Sequence, residues 1–186
     1  ATLVLIAGQR DQAILFCREK NEEREIWDGY RYGPTAAKEQ FGFDAALPID
    51  QIDAELPKLL ANAPALFYAL GSSGRIDEQV KGWLNAVRAQ VRAGVTAPSA
   101  AIDVRVILNE MRLIKDAHEI AIMQRAADIT AKGYEAVLQG LKPGITEFDV
   151  QELVEHGYRT NGSRKAAYHT IAGGAFNATV LHYHGN

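Results

Sequence analysis

The chain has 186 residues, 47% of them hydrophobic, enough for one large or two small domains with a buried core. Twenty Lys and Arg against 23 Asp and Glu give a net charge of −3, and the basic residues are scattered rather than gathered into a stripe, which argues against a nucleic-acid surface. The longest apolar runs, 2–7 and 13–17, are too short to cross a bilayer, and no basic-headed signal peptide precedes them; with a single cysteine, Cys17, that cannot close an internal disulfide, a cytoplasmic protein is the default expectation.

Residues 2–7 and 13–18 are β-rich runs joined by Gly8-Gln-Arg-Asp11, a hairpin signal, and Glu25-Ile-Trp-Asp28 is read as a third strand. Tyr32-Gly-Pro34 breaks the chain, Thr35 is expected to cap a short helix reaching Phe41, and 52–61 reads as another helix with Pro57 in its first turn. Ala65-Leu-Phe-Tyr-Ala-Leu70, closed by Gly71-Ser-Ser-Gly74, has the continuous apolar character of a strand buried on both faces. A helix over 77–92 places Val80, Leu84, Val87 and Val91 at helical spacing and ends at Gly94. Strands alternating with helices make residues 1–107 a small α/β domain, with the boundary between the extended Thr96-Ala-Pro-Ser-Ala-Ala101 connection and Asn109.

Residues 108–186 form the second region. Asp116 with Glu119 resembles a capping box, and Ile120, Met123, Ala127, Thr130, Tyr134, Val137 and Leu138 trace one helical face that stops at Gly140 and Lys142-Pro-Gly144. Thr146 with Asp149 opens the next helix, expected to bury Phe148, Val150, Leu153, Val154 and Tyr158 and to end at Asn161-Gly162. The last residues read as a hairpin about Gly173-Gly174 that gathers His169, His182 and His184, with His182 and His184 on one strand face and Tyr183 on the other. A strand histidine is more often structural than catalytic. No HExxH, GxGxxG or GK[ST] motif accompanies the trio, and His118 and His156 read as solvated surface residues. Cys17 reads as a small core hydrophobe.

Several spaced motifs carry a resemblance: Glu110-Met-Arg-Leu-Ile-Lys115, Glu119-Ile-Ala, Arg125-Ala-Ala-Asp-Ile-Thr130, Lys142-Pro-Gly144, Tyr168-His-Thr-Ile-Ala-Gly-Gly174, Asn177 and Leu181-His-Tyr183. In this order they resemble the start of the catalytic domain of Xaa-Pro aminopeptidases (aminopeptidase P), in the pita-bread metallopeptidase family. Ile14-Leu-Phe, Glu25-Ile-Trp-Asp-Gly29 and Phe41-Gly are similar to that family's smaller N-terminal domain.

The resemblance implies an α/β N-terminal domain, itself lacking its start, followed by the first part of an α+β pita-bread domain truncated before the metal ligands. Both ends of the chain read as cut, and residues 1–186 alone are expected to be inactive and prone to aggregate. For the intact parent the resemblance implies a metal-dependent exopeptidase releasing the N-terminal residue from Xaa-Pro peptides. Two divalent ions, usually manganese, would bridge the attacking hydroxide, with ligands outside this chain. His182 takes the role of substrate contact or proton transfer, and Tyr168 lies at the pocket for the substrate's first side chain. His169 and Gly174-Ala175 depart from the common pattern and His184 falls on a variable position, so none of them receives a role. Expected partners are peptides with proline in second position, the rest of the catalytic domain, and further copies of the chain. A non-catalytic pita-bread binding protein and a creatinase-like amidinohydrolase are the competing readings.

Overall fold

The computed structural model describes residues 1–8, 10 and 12–185. It divides into two compact units, 1–110 and 111–186, each with its own packing.

In the first unit, β1 (Thr2–Ile6) and β2 (Gln12–Cys17) pair antiparallel in a register that sets Val4 opposite Ile14, as the two β-rich runs predict. Positions 9 and 11 of the intervening turn lie outside the described residues. β3 (Ala45–Pro48) then joins β2 in parallel. The period of two along β2 turns Ile14 and Phe16 inward, where they meet Ile52 and Leu56 of the helix α3 (Ile52–Leu60) in the unit's core. Trp83, from α4 (Gly74–Arg88), closes over that core and donates its indole N–H to Asp53 at 2.7 Å. Cys17 is half-buried beside this packing, and burial pushes its thiol up.

Several expectations for this unit are corrected. Residues 25–28 are helical, not extended: α1 (Glu22–Asp28) starts at Asn21, whose side chain accepts the Arg24 amide at 2.8 Å. Ile26 and Trp27, the residues that suggest a strand, are each 81% exposed, so no sheet covers them. α2 (Gly33–Phe41) begins before Thr35 with Pro34 in its first turn, and Thr35 makes no cap. Pro57 lies inside α3 rather than in its first turn. β4 (Ala65–Tyr68) is half-buried, not buried on both faces, because among the described residues it pairs with β5 (Ala100–Asp103) alone, in a two-stranded parallel sheet that leaves Phe67 exposed. β5 thus takes up Ala100 and Ala101, the end of the stretch expected to be a bare connection. α4 ends at Arg88, and Gly94 caps a separate 3₁₀ turn over Val91–Ala93, leaving Val91 exposed. The helix α5 (Arg105–Leu113), with no expectation in the sequence, follows β5.

The second unit is built on α6 (Ala117–Gly140) and α7 (Glu147–Thr160). Both start with capping boxes: the Asp116 carboxylate accepts from the Glu119 amide while Glu119 accepts from the Asp116 amide, each at 2.8 Å, and Thr146 with Asp149 repeats the arrangement. Gly133 meets Gly157 and Gly140 meets Leu153, pairings that run in opposite directions along the two helices and make them antiparallel. A side chain on Gly157 would sit 2.7 Å from the Gly133 Cα, so the helices approach as closely as backbones allow. This contact uses the face of Ile129, Gly133, Ala136, Val137 and Gly140, whereas of the face expected from the large apolar residues only Val137 is half-buried. On α7, Val154 is buried and Val150, Leu153 and Tyr158 are half-buried, but Phe148 is exposed. No described helix is long and apolar enough to cross a membrane.

Candidate functional site

The predicted site residues all fall on the segment that follows α7, and its backbone is not a hairpin. Among the described residues it contains no strand; instead a 3₁₀ turn spans Ala175–Thr179 and a further turn covers 181 and 182. Local bonds take the groups that a ladder would use: the Asn177 amide donates to the Gly174 carbonyl at 3.0 Å and the Val180 amide to the Asn177 carbonyl at 3.1 Å. Ala175 sits at φ 47, a left-handed conformation that ends any extended run through Gly174. Gly173 is required by the fold-back, since a Cβ there would stand 2.9 Å from the Asn177 carbonyl oxygen.

α7 holds this segment through two carboxylates. Glu147, the first residue of the helix, accepts the Gly174 amide at 2.6 Å and the Asn177 side-chain amide at 2.9 Å through Oε1, with the same amide 3.1 Å from Oε2. The Asn177 amide also donates to the Tyr183 hydroxyl at 3.1 Å, which links Tyr183 to Glu147 through Asn177. The Gly174 amide above all, then Asn177 and Tyr183, holds the Glu147 carboxyl below its ordinary value, while the Glu147 carboxylate pushes the Tyr183 phenol up. A carboxylate at this position also faces the positive end of the helix dipole. Two turns further on, Glu155 accepts the Thr170 hydroxyl at 2.9 Å, the Gln151 amide at 3.0 Å and the Arg159 guanidinium at 3.0 Å, and the Thr170 bond leads in holding its carboxyl low. Ala172, between these anchors, is buried.

The structure brings His169 and His184 together edge to face, with ring centroids 4.9 Å apart, as the sequence expects of two of its three histidines. His182 is not part of that pair. It is exposed, makes no hydrogen bond or ion pair with a described residue, and follows Leu181, which is 89% exposed. With no strand here, the placing of His182 and His184 on one sheet face does not apply. Tyr168 is 78% exposed at the other end of the segment, and His118 and His156 are exposed on their helices. Among the described residues no group of three or more His, Cys, Asp and Glu is placed to hold a metal ion. Sequence reasoning missed Glu147. Its one local signal is an acidic residue at the first helical position after the Thr146 cap; its partners Gly174 and Asn177 lie 27 and 30 residues away, in a segment read as a self-contained hairpin.

Residues 1–68 match the model of the aminopeptidase P N-terminal domain and residues 121–186 that of metallopeptidase family M24. In order along the chain, these matches make it similar to an aminopeptidase P N-terminal domain followed by part of a metallopeptidase family M24 domain. The chain further resembles the Xaa-Pro aminopeptidases. It is 35% identical to the Xaa-Pro aminopeptidase of Escherichia coli over 98% of its own length and 42% of that protein's, and 32% identical to that of Haemophilus influenzae over 98% and 40%. Among solved structures, Escherichia coli aminopeptidase P in complex with substrate superposes with a TM-score of 0.91 at 35% identity, covering 97% of this chain and 42% of that one. Proline aminopeptidase P II from Yersinia pestis gives 0.90 at 34%, with the same coverage. The chain thus spans about two fifths of the relatives it matches.

Proposed function

We propose that the protein to which these residues belong is a metal-dependent exopeptidase that releases the N-terminal residue from peptides with proline in second position. The observation that carries the reading is the match, in order, of both domains of aminopeptidase P at 35% identity along 98% of the chain. Locally, Tyr168 and His182 lie on a segment anchored at Glu147 and Glu155.

Membership of a metallopeptidase family implies divalent metal ions; we assign manganese, in a pair. The described residues form no metal-ligand group, so they do not fit that site by themselves; we place the ligands in residues outside this span. Within the span, His182 contacts the substrate or moves a proton, a task suited to imidazoles because they titrate near neutrality. Tyr168 lines the pocket for the first side chain. The further proposed attributes are a cytoplasmic location and association into homo-oligomers. The test is a comparison of a Xaa-Pro-Xaa peptide with its Xaa-Ala-Xaa counterpart by the full-length protein. Release of the first residue only from the proline peptide, abolished by chelation, is expected; equal hydrolysis of both would overturn the substrate assignment.

A further inference from the structure

The Glu147 carboxylate ties together two points of the segment after α7: it accepts the Gly174 amide directly, and it reaches the Tyr183 hydroxyl through the Asn177 side-chain amide, which donates to both. His182 lies inside that loop, next to its closing residue. Its imidazole has no hydrogen bond of its own with a described residue, so its position is set by the backbone on either side of it. On the Tyr183 side the backbone is fixed by a buttressed ring, against which a Cβ on Gly185 would sit at 2.9 Å. On the other side the Asn177 carbonyl accepts the Val180 amide at 3.1 Å. Both fixings lead back to one carboxylate on the first turn of α7.

We propose that Glu147, acting through Asn177 and Tyr183, is a positioning residue for His182. This deepens the exopeptidase reading and rests on it. A positioned proton-transfer or substrate-contact group loses rate when its geometry loosens by fractions of an ångström, so releasing the loop lowers turnover without removing any group that touches substrate. The pairing has a chemical handedness that can be reversed. In the wild type a carboxylate at 147 accepts from an amide at 177. Exchanging the two groups keeps one donor and one acceptor across the same gap: the side-chain carbonyl placed at 147 still accepts the Gly174 amide, its NH₂ donates to the new carboxylate at 177, and that carboxylate accepts the Tyr183 hydroxyl.

The test uses the full-length protein and a Xaa-Pro peptide, with Asn177→Asp, the double exchange Glu147→Gln with Asn177→Asp, and Tyr183→Phe. Asn177→Asp sets two carboxylates against each other, and kcat is expected to fall about 10-fold or more with KM changed less than about 3-fold, on the scale expected of a misplaced group. The double exchange is expected to return kcat to within about 3-fold of wild type, which a loss of general stability would not predict. Tyr183→Phe deletes one hydroxyl and is expected to lower kcat while leaving the melting midpoint nearly unchanged, so the proposal stays testable if Asn177→Asp does not fold. Hydrogen exchange of a peptide covering 170–182, read by mass spectrometry, follows the loop independently of activity: faster in Asn177→Asp, restored in the double exchange. If exchange follows this pattern while kcat stays at the wild-type value in all variants, Glu147 does not position His182. A double exchange that fails to recover either quantity overturns the proposal as well. Should the wild-type protein not cleave the peptide while exchange still follows the pattern, the exopeptidase reading fails and the loop stands.

Discussion

At the scale of single residues, Glu147 shows how one carboxylate organises a segment that, among the described residues, has no helix or strand beyond one 3₁₀ turn. Its carboxyl is held below the ordinary value by the Gly174 amide first, and Asp149 and Glu155 shift the same way through Thr146 and Thr170. A carboxyl with a lowered folded-state value contributes stability that is present above the unfolded value and is lost as pH falls through the folded one. The melting-midpoint gap between wild type and Glu147→Gln is therefore expected to be largest at neutral pH and to narrow on acidification below the usual carboxylate range. A gap that widens toward low pH would contradict the assignment. For the histidines, His182→Ala is expected to lower kcat/KM by about 10²-fold with metal content retained, the usual scale for a proton-transfer group, and His184→Ala to matter much less. Equal losses from both would show the wrong imidazole has been chosen. His182 is singled out by its Leu-His-Tyr context alone. The partition of the histidines was not legible, because alternation applies only to a strand, and Ala175 in a left-handed conformation removes the strand.

At the scale of elements, the chain is most readable where the chemistry is local. The capping boxes at Asp116 and Thr146 are written within four residues, and both are formed. Thr146→Ala is expected to cost about 1 kcal/mol, the usual loss of an N-cap, read as a lower midpoint in denaturant. The α6 and α7 interface is less readable, since the residues that decide it are small. A side chain on Gly157 would meet the Gly133 Cα at 2.7 Å and the Lys132 carbonyl at 3.1 Å, both backbone atoms with little room to yield. Gly157→Ala is accordingly expected to destabilise by about 1 to 3 kcal/mol, the range for overpacking, although alanine is the better helix former. An unchanged or raised midpoint would mean that the helices are not packed at that contact. Ile26 and Trp27 misled in the other direction: β-branched and aromatic character suggests a strand, yet the Asn21 cap starts a helix and both side chains face solvent. β5, with the short sequence Ala-Ala-Ile-Asp, gives almost no periodic signal and is fixed by its partner β4.

At the scale of the whole molecule, the order of the two domains was legible because it rests on many motifs spaced along the chain, and the matches over 1–68 and 121–186 support the same order. Metal ligation could not be read from these residues, since no described group can hold an ion. One titration decides whether these domains serve the metal-dependent Xaa-Pro exopeptidase proposed above. Full-length protein is stripped with a chelator, freed of it, and assayed for release of the first residue from a Xaa-Pro peptide as manganese is returned. Negligible turnover in the stripped protein and recovery that saturates with added manganese are expected; undiminished turnover by the stripped protein would rule out the metal-dependent reading.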